Sequence, residues 1–150
     1  MGLEFSLACD FRIVTKCAQL SLPEMKIGMI PGSGGSVRLA RMIGLSRVKD
    51  MIMRGKRISG EEAFNWGLAS ELVEKDKLEI TISKLVDELC SVSPLAQRAI
   101  KTVLNTSQDA PLHVAIELEG ETYGRLRSSD DFNEGVKSFV EKRKPVYKGN

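Results

Sequence analysis

Two glutamates stand where paired carboxyl chemistry could operate. Glu4 lies in Gly2-Leu3-Glu4-Phe5-Ser6-Leu7-Ala8-Cys9-Asp10, and Glu24 closes Ser21-Leu22-Pro23-Glu24. The first opens an apolar, helix-like run. The second follows a strand-like run and a proline, just ahead of the glycine-rich segment Pro31-Gly32-Ser33-Gly34-Gly35. Two carboxyls can divide acid and base work when their surroundings push their titrations apart. Glu4, in a first helical turn, is expected to stay ionised because the helix dipole favours negative charge there. Glu24 is expected to be buried among Leu22, Pro23, Met25 and Ile27, which favours a protonated carboxyl. The first state suits a general base and the second a general acid. Taken singly, each residue also fits an ordinary role, as a first-turn helix glutamate and as a loop carboxylate.

The elements that must position them can be read from periodicity and breakers. Gly2 to Cys9 reads as a short buried helix. Phe11 to Thr15 and Ala18 to Leu22 alternate as strands. Pro23, Gly28, Pro31 and the glycines at 32, 34 and 35 enforce an irregular loop. Ser36 to Ile43 returns to helical spacing, Gly44 stops it, and Ser46 is expected to cap a helix across Val48 to Met53. Arg57-Ile58 reads as extended. Ser59 with Glu62 forms a capping-box pattern for a helix over Glu61 to Trp66 that ends at Gly67. Ala69 to Val73 reads as a last strand. Four helices follow: from about Lys77 to Cys90, from Ser93-Pro94 to about Leu104, from Asp109 or Ala110 to Arg125, and from Asp130 to Lys142. Mixed strand and helix over 1–75 thus gives way to helix alone over 76–150.

Composition narrows the chemistry. The chain has 150 residues, enough for a real core, and 22 basic against 20 acidic residues leave a net charge of +2. A nucleic-acid-coating protein would show a pronounced basic excess, so no nucleic-acid partner is expected. Three scattered cysteines, Cys9, Cys17 and Cys90, suggest reduced packing residues in a reducing compartment rather than a disulfide frame. His113 is the only histidine and reads as an exposed helix residue. Neither a zinc site nor any other metal site is expected. Met1 to Phe11 lacks the basic lead of a signal peptide. No run approaches the roughly 20 apolar residues of a spanning helix, so no membrane partner is expected. The glycines at 32, 34 and 35 are not followed by the Gly-Lys-Ser/Thr of a phosphate loop.

Together these motifs resemble the enoyl-CoA hydratase (crotonase) family. The similarity runs from Gly2–Asp10 through Leu22-Pro23-Glu24 and Ile27-Gly28-Met29-Ile30-Pro31-Gly32-Ser33-Gly34-Gly35. It continues through Arg38-Leu39, Gly55–Ser59, Ala63–Ala69 and Asp131-Phe132-Asn133-Glu134-Gly135 to the closing Phe139–Pro145. The resemblance implies an α/β fold, the C-terminal part of a crotonase-like ββα spiral followed by an all-helical trimerisation segment. It also implies that the N-terminal half of the fold is not within this chain. The implied chemistry is syn addition of water to a trans-2-enoyl-CoA, or the reverse dehydration, with Glu4 as base and Glu24 as acid. The backbone N–H of Gly32 would orient the attacking water. One of the two amides that hold the thioester oxygen comes, in the family, from a glycine at the position of Met1. A terminal amine there leads us to expect little activity from this chain alone. Phe139 and Lys142 match family contacts to acyl-CoA, although Phe139 equally suits core packing and Lys142 a solvated cation. No cofactor is implied beyond the coenzyme A carried by the substrate, and the implied assembly is a homotrimer or hexamer. A cytoplasmic location, or alternatively the mitochondrial matrix, fits the same reading. Other outcomes are a catalytically silent assembly module, or related chemistry such as enoyl-CoA isomerisation or thioester hydrolysis.

Overall fold

Short pairings and well-placed caps, rather than long strands, organise the first part of the chain. The computed structural model describes every residue from Met1 to Asn150 and divides into two compact units, Met1–Ser83 and Lys84–Asn150. In the first, α1 (Gly2–Ser6) leads into β1 (Ile13–Thr15) and β2 (Gln19–Leu20), then a 3₁₀ turn at Glu24–Ile27. Helices α2 (Gly35–Ile43) and α3 (Leu45–Met53), strand β3 (Ile58–Ser59), helix α4 (Gly60–Asn65) and strand β4 (Glu71–Val73) follow. β1 pairs in parallel with β4, placing Val14 opposite Leu72, and β2 pairs antiparallel with β3, placing Leu20 opposite Ile58. Each ladder ends where its partner ends, so the strands are shorter than the alternation over 11–15 and 18–22 suggests. The first helix is shorter too, because the chain after Ser6 tightens into turns with Ala8 N–H on Phe5 O and Cys9 N–H on Ser6 O.

The capping box forms as its spacing predicts. Ser59 Oγ accepts from Glu62 N–H at 3.1 Å, and the Glu62 carboxylate accepts from Ser59 N–H at 2.9 Å. Ser46, by contrast, caps nothing. Gly44, at φ 81° and ψ 155°, ends α2 and opens α3 at once, a backbone setting suited to glycine, and Ser46 falls inside the second helix. The core that results is built from Leu7, Leu22, Leu39, Met51, Ile58 and Leu68, with Leu3 packed against it. Arg12 fastens α1 from the outside. Its Nε donates to Leu68 O at 2.7 Å, and its Nη1 donates to Ser6 O at 3.2 Å and to Cys9 O at 2.5 Å.

Helix α5 (Leu78–Cys90) runs into the second unit, which continues with α6 (Pro94–Ser107), α7 (Leu112–Leu126) and α8 (Asp130–Val140). No helix is long and apolar enough to cross a membrane. Val103 is the buried apolar residue of this unit, while Ile100, Leu104, Leu112, Ile116, Val136 and Val140 stay exposed. The second unit therefore leaves many of its large apolar side chains exposed.

Its fixed point is polar. Buried Asp131 accepts the Ser93 hydroxyl at 2.6 Å and the backbone N–H groups of Lys148 and Gly149 at 2.8 and 3.0 Å. The Ser93 contact, with those amides, holds the Asp131 carboxyl below its ordinary range. Ser93 Oγ also caps α6 through Ala96 N–H. One carboxylate thus joins the starts of two helices to the C-terminal tail. Asp131→Ala is expected to lower the melting temperature and to speed hydrogen exchange at the Lys148 and Gly149 amides about tenfold or more, since bonds to a charged acceptor are the stronger kind. Unchanged exchange at both amides refutes that role.

Candidate active site

Glu4 is held by a loop that lies some thirty residues along the chain. Leu3 and Leu7, on either side of it, pack in the core, and the carboxylate is itself only 5% exposed. Its Oε1 accepts Ser33 N–H at 2.9 Å and Gly35 N–H at 3.3 Å. The Met1 ammonium stands 3.6 Å from Oε2. The Ser33 hydrogen bond is the largest influence keeping this carboxyl below its ordinary range; the Gly35 amide and the ammonium act in the same direction, against the opposing effect of burial. Ionisation at Glu4 is thus as expected, but its cause differs. A five-residue helix has little dipole to offer, and two convergent amides do the holding.

The loop is shaped for this purpose. A Cβ built on Gly35 would lie 2.7 Å from Glu4 Cγ and 2.9 Å from Oε1, so any side chain there would displace the carboxylate. Gly34 adopts φ 81°, the left-handed setting that glycine takes without strain. Gly32 is exposed, and its N–H takes no part in holding Glu4.

Glu24 opens the 3₁₀ turn, two residues after fully buried Leu22. Leu22 shares its core with Leu3 and Leu7, so one packed cluster anchors the backbone beside both glutamates. The turn is closed by Lys26 N–H on Pro23 O, Gly28 N–H on Met25 O and Met29 N–H on Glu24 O. The expected apolar box around Glu24 does not form: Met25 is 42% and Ile27 79% exposed, and Pro23 is exposed as well. A single 3₁₀ turn at the surface cannot wrap its own neighbours around one side chain. Glu24 is instead half-buried, and its Oε2 is sealed from solvent with no hydrogen-bond partner in the protein. Such an oxygen is costly unless something else comes to satisfy it.

The remaining predicted residues are placed as follows. Met1 is 91% exposed and precedes α1, with its amine beside Glu4. Phe139, 85% exposed, and Lys142, at φ 53° just beyond α8, both belong to the second unit. Core packing is therefore not the role of Phe139 in this chain. Cys9, Cys17 and Cys90 are exposed free thiols rather than packing residues, and His113 is exposed as expected. No group of three or more His, Cys, Asp or Glu side chains assembles that could hold a metal ion. Ser33 and Gly35 were not among the residues singled out by type. Their role is carried by backbone N–H groups, and the glycine spacing is the only trace it leaves in sequence.

Short strand–strand–helix turns with a glycine loop cradling a carboxylate, followed by an all-helical unit, define the crotonase-type α/β fold. An enoyl-CoA hydratase from Bacillus anthracis superposes with a TM-score of 0.96 at 39% identity, covering 99% of this chain and 58% of that one. The profile of the enoyl-CoA hydratase/isomerase family matches residues 1–150, and the chain belongs to that family. Among curated relatives, it is 38% identical to a mitochondrial methylglutaconyl-CoA hydratase from Pyricularia oryzae, over 99% of this chain and 47% of that protein. It is 35% identical to a carnitinyl-CoA dehydratase from Salmonella typhi, over 99% of this chain and 58% of the relative. The chain spans about half the length of the curated relatives it matches.

Proposed function

We propose that this chain carries the acid–base half of an enoyl-CoA hydratase site. Water adds syn across the double bond of a trans-2-enoyl-CoA to give the 3-hydroxyacyl-CoA, or leaves in the reverse direction. Glu4 takes a proton from water as the oxygen bonds to the β carbon. The alkene electrons move to the thioester oxygen as an enolate, which collapses while Glu24 delivers a proton to the α carbon. The observation that carries this reading is the Glu4 cradle, a carboxylate kept ionised by two amides and free to accept a proton. The sealed, unpartnered oxygen of Glu24 supports the complementary role. The Gly32 N–H, to which the family resemblance gives the attacking water, is not one of the two amides that hold Glu4.

The position of Met1, beside Glu4, is where an amide for the thioester oxygen belongs. Exposed Phe139 and Lys142 are assigned to acyl-CoA contact, and the exposed apolar helix surface of the second unit to a homotrimer or hexamer. No cofactor is required beyond the coenzyme A of the substrate. Cytoplasm or mitochondrial matrix, and a place in fatty-acid metabolism, complete the reading.

The test is conversion of crotonyl-CoA, followed by loss of the conjugated thioester's ultraviolet absorbance and by mass analysis in heavy-oxygen water. It is run on this chain and on a longer polypeptide that contains it. One heavy oxygen and two hydrogens gained per turnover, the mass of one labelled water, is the expected result in the longer form. A form that assembles but leaves the thioester unchanged would instead be the silent assembly module.

A further inference from the structure

The loop that holds Glu4 is itself held, by a residue to which the reaction assigns no part. Arg38, on the exposed side of α2, donates from Nη1 to the Ser33 carbonyl at 3.0 Å. Its guanidinium lies where a side chain on Gly34 would have to go, so glycine at 34 serves both the left-handed turn and the room for Arg38. Ser33 is thereby gripped at both ends, its N–H on Glu4 and its carbonyl on Arg38. The N–H and the carbonyl lie in successive peptide planes joined at the Ser33 Cα, so the charge-assisted bond on the carbonyl restricts the backbone rotations by which the N–H could leave the carboxylate.

We propose that Arg38 is a positioning residue which, by anchoring the Ser33 carbonyl, keeps the 33–35 amides aimed at Glu4 and so governs the readiness of Glu4 as a base. This rests on the assignment of Glu4 as the base, but its consequences can be read without any turnover. The charged group against Glu4 is the Met1 ammonium, at 3.6 Å. Helix α2, which packs on α1, contributes the cations Arg38 and Arg41, both exposed. A general effect of positive charge must therefore be separated from the grip on Ser33.

The experiment follows the Glu4 carboxyl by carbon-detected NMR titration of the whole chain, with hydrogen exchange at the Ser33 and Gly35 amides. Wild type is compared with Arg38→Met, which keeps the aliphatic stem, and with Arg38→Lys, which keeps charge and one donor. In Arg38→Met the ionisation constant of Glu4 is expected to fall about tenfold and both amides to exchange about tenfold faster. Arg38→Lys is expected to restore at least half of both changes, and the difference between wild type and Arg38→Met to persist in high salt. An Arg38→Met chain with Glu4 titration and both amides unchanged overturns the proposal. So does a difference that vanishes in about 1 M salt, which marks screened charge rather than anchorage. Should Arg38→Met fail to fold, Arg38→Gln, too short to reach the carbonyl and without charge, carries the same expectations. Absence of hydration by the longer polypeptide would count against Glu4 as the base, but would leave this titration and its outcome intact.

Discussion

In the longer polypeptide that contains this chain, Glu4→Gln and Glu24→Gln are each expected to lower hydration of crotonyl-CoA by about 10²–10⁴-fold, the loss typical of a removed general acid or base. The substitutions are nearly isosteric. At position 4 the amide oxygen can still accept Ser33 and Gly35 N–H, so the cradle and the core behind it stay in place while the proton acceptor is gone. At position 24 the side chain keeps its size but can no longer deliver a carboxyl proton. The pH profile adds a second signature. The proposed base role requires an ionised Glu4, and its contacts depress its titration below the ordinary carboxylate range. The Glu4 limb of kcat/KM should therefore be fully up above that range and fall only as pH drops through the lowered value. The same sign holds for stability. The cradle stabilises the fold above the unfolded carboxylate pKa, and that contribution is lost as pH falls through the folded one. Wild-type turnover in both variants removes the acid–base assignment. Loss of hydration in Glu4→Gln with retained double-bond migration would reassign the chemistry to isomerisation.

Whether a feature was legible in the sequence depended on whether its cause is local. The helix Leu78–Cys90 stands where Leu78, Ile82, Leu85 and Leu89 place it, and the Ser59–Glu62 box is a short-range device read at its own spacing. Pro94 marks the start of α6 for the same reason. The largest miss is non-local. Glu4 owes its ionised state to amides 29 and 31 residues away. No propensity of Glu4's own helix encodes that. Glu24 was surrounded on paper by apolar neighbours in sequence, but a 3₁₀ turn sends Met25 and Ile27 outward. The sequence reads the three cysteines as packing residues, yet all three are exposed. Ser46 lost its capping role because Gly44 could serve two helices in one residue. The family pattern, by contrast, was visible because many weak local motifs fell in order.

Gly60→Ala is expected to destabilise the first unit by about 2–4 kcal/mol, at the upper end of overpacking costs. Gly60 is the first residue of α4, and its N–H donates to Ala18 O at 3.0 Å. A methyl group on it would fall on the Thr15 carbonyl oxygen, with Val14 Cγ2 at 3.2 Å beyond. That carbonyl cannot swing aside, because it also accepts Ala18 N–H at 3.0 Å and belongs to the last residue of β1. Relief would have to come from moving α4 off the strand, and with α4 would go the capping box and the buried Ala63. Alanine's better helix propensity returns only about 1 kcal/mol, too little to reverse the sign. Gly2 tests the argument, since it too is the first residue of a helix but has nothing within 4 Å of a built Cβ. Gly2→Ala should be neutral or stabilising by about 0.4–1 kcal/mol through the unfolded state. Urea denaturation of both variants decides the matter. The midpoint should fall for Gly60→Ala and hold or rise for Gly2→Ala, with the slope unchanged in each. Equal midpoints for the two would show that α4 yields to the methyl group and that its seat on β1 is not tightly packed.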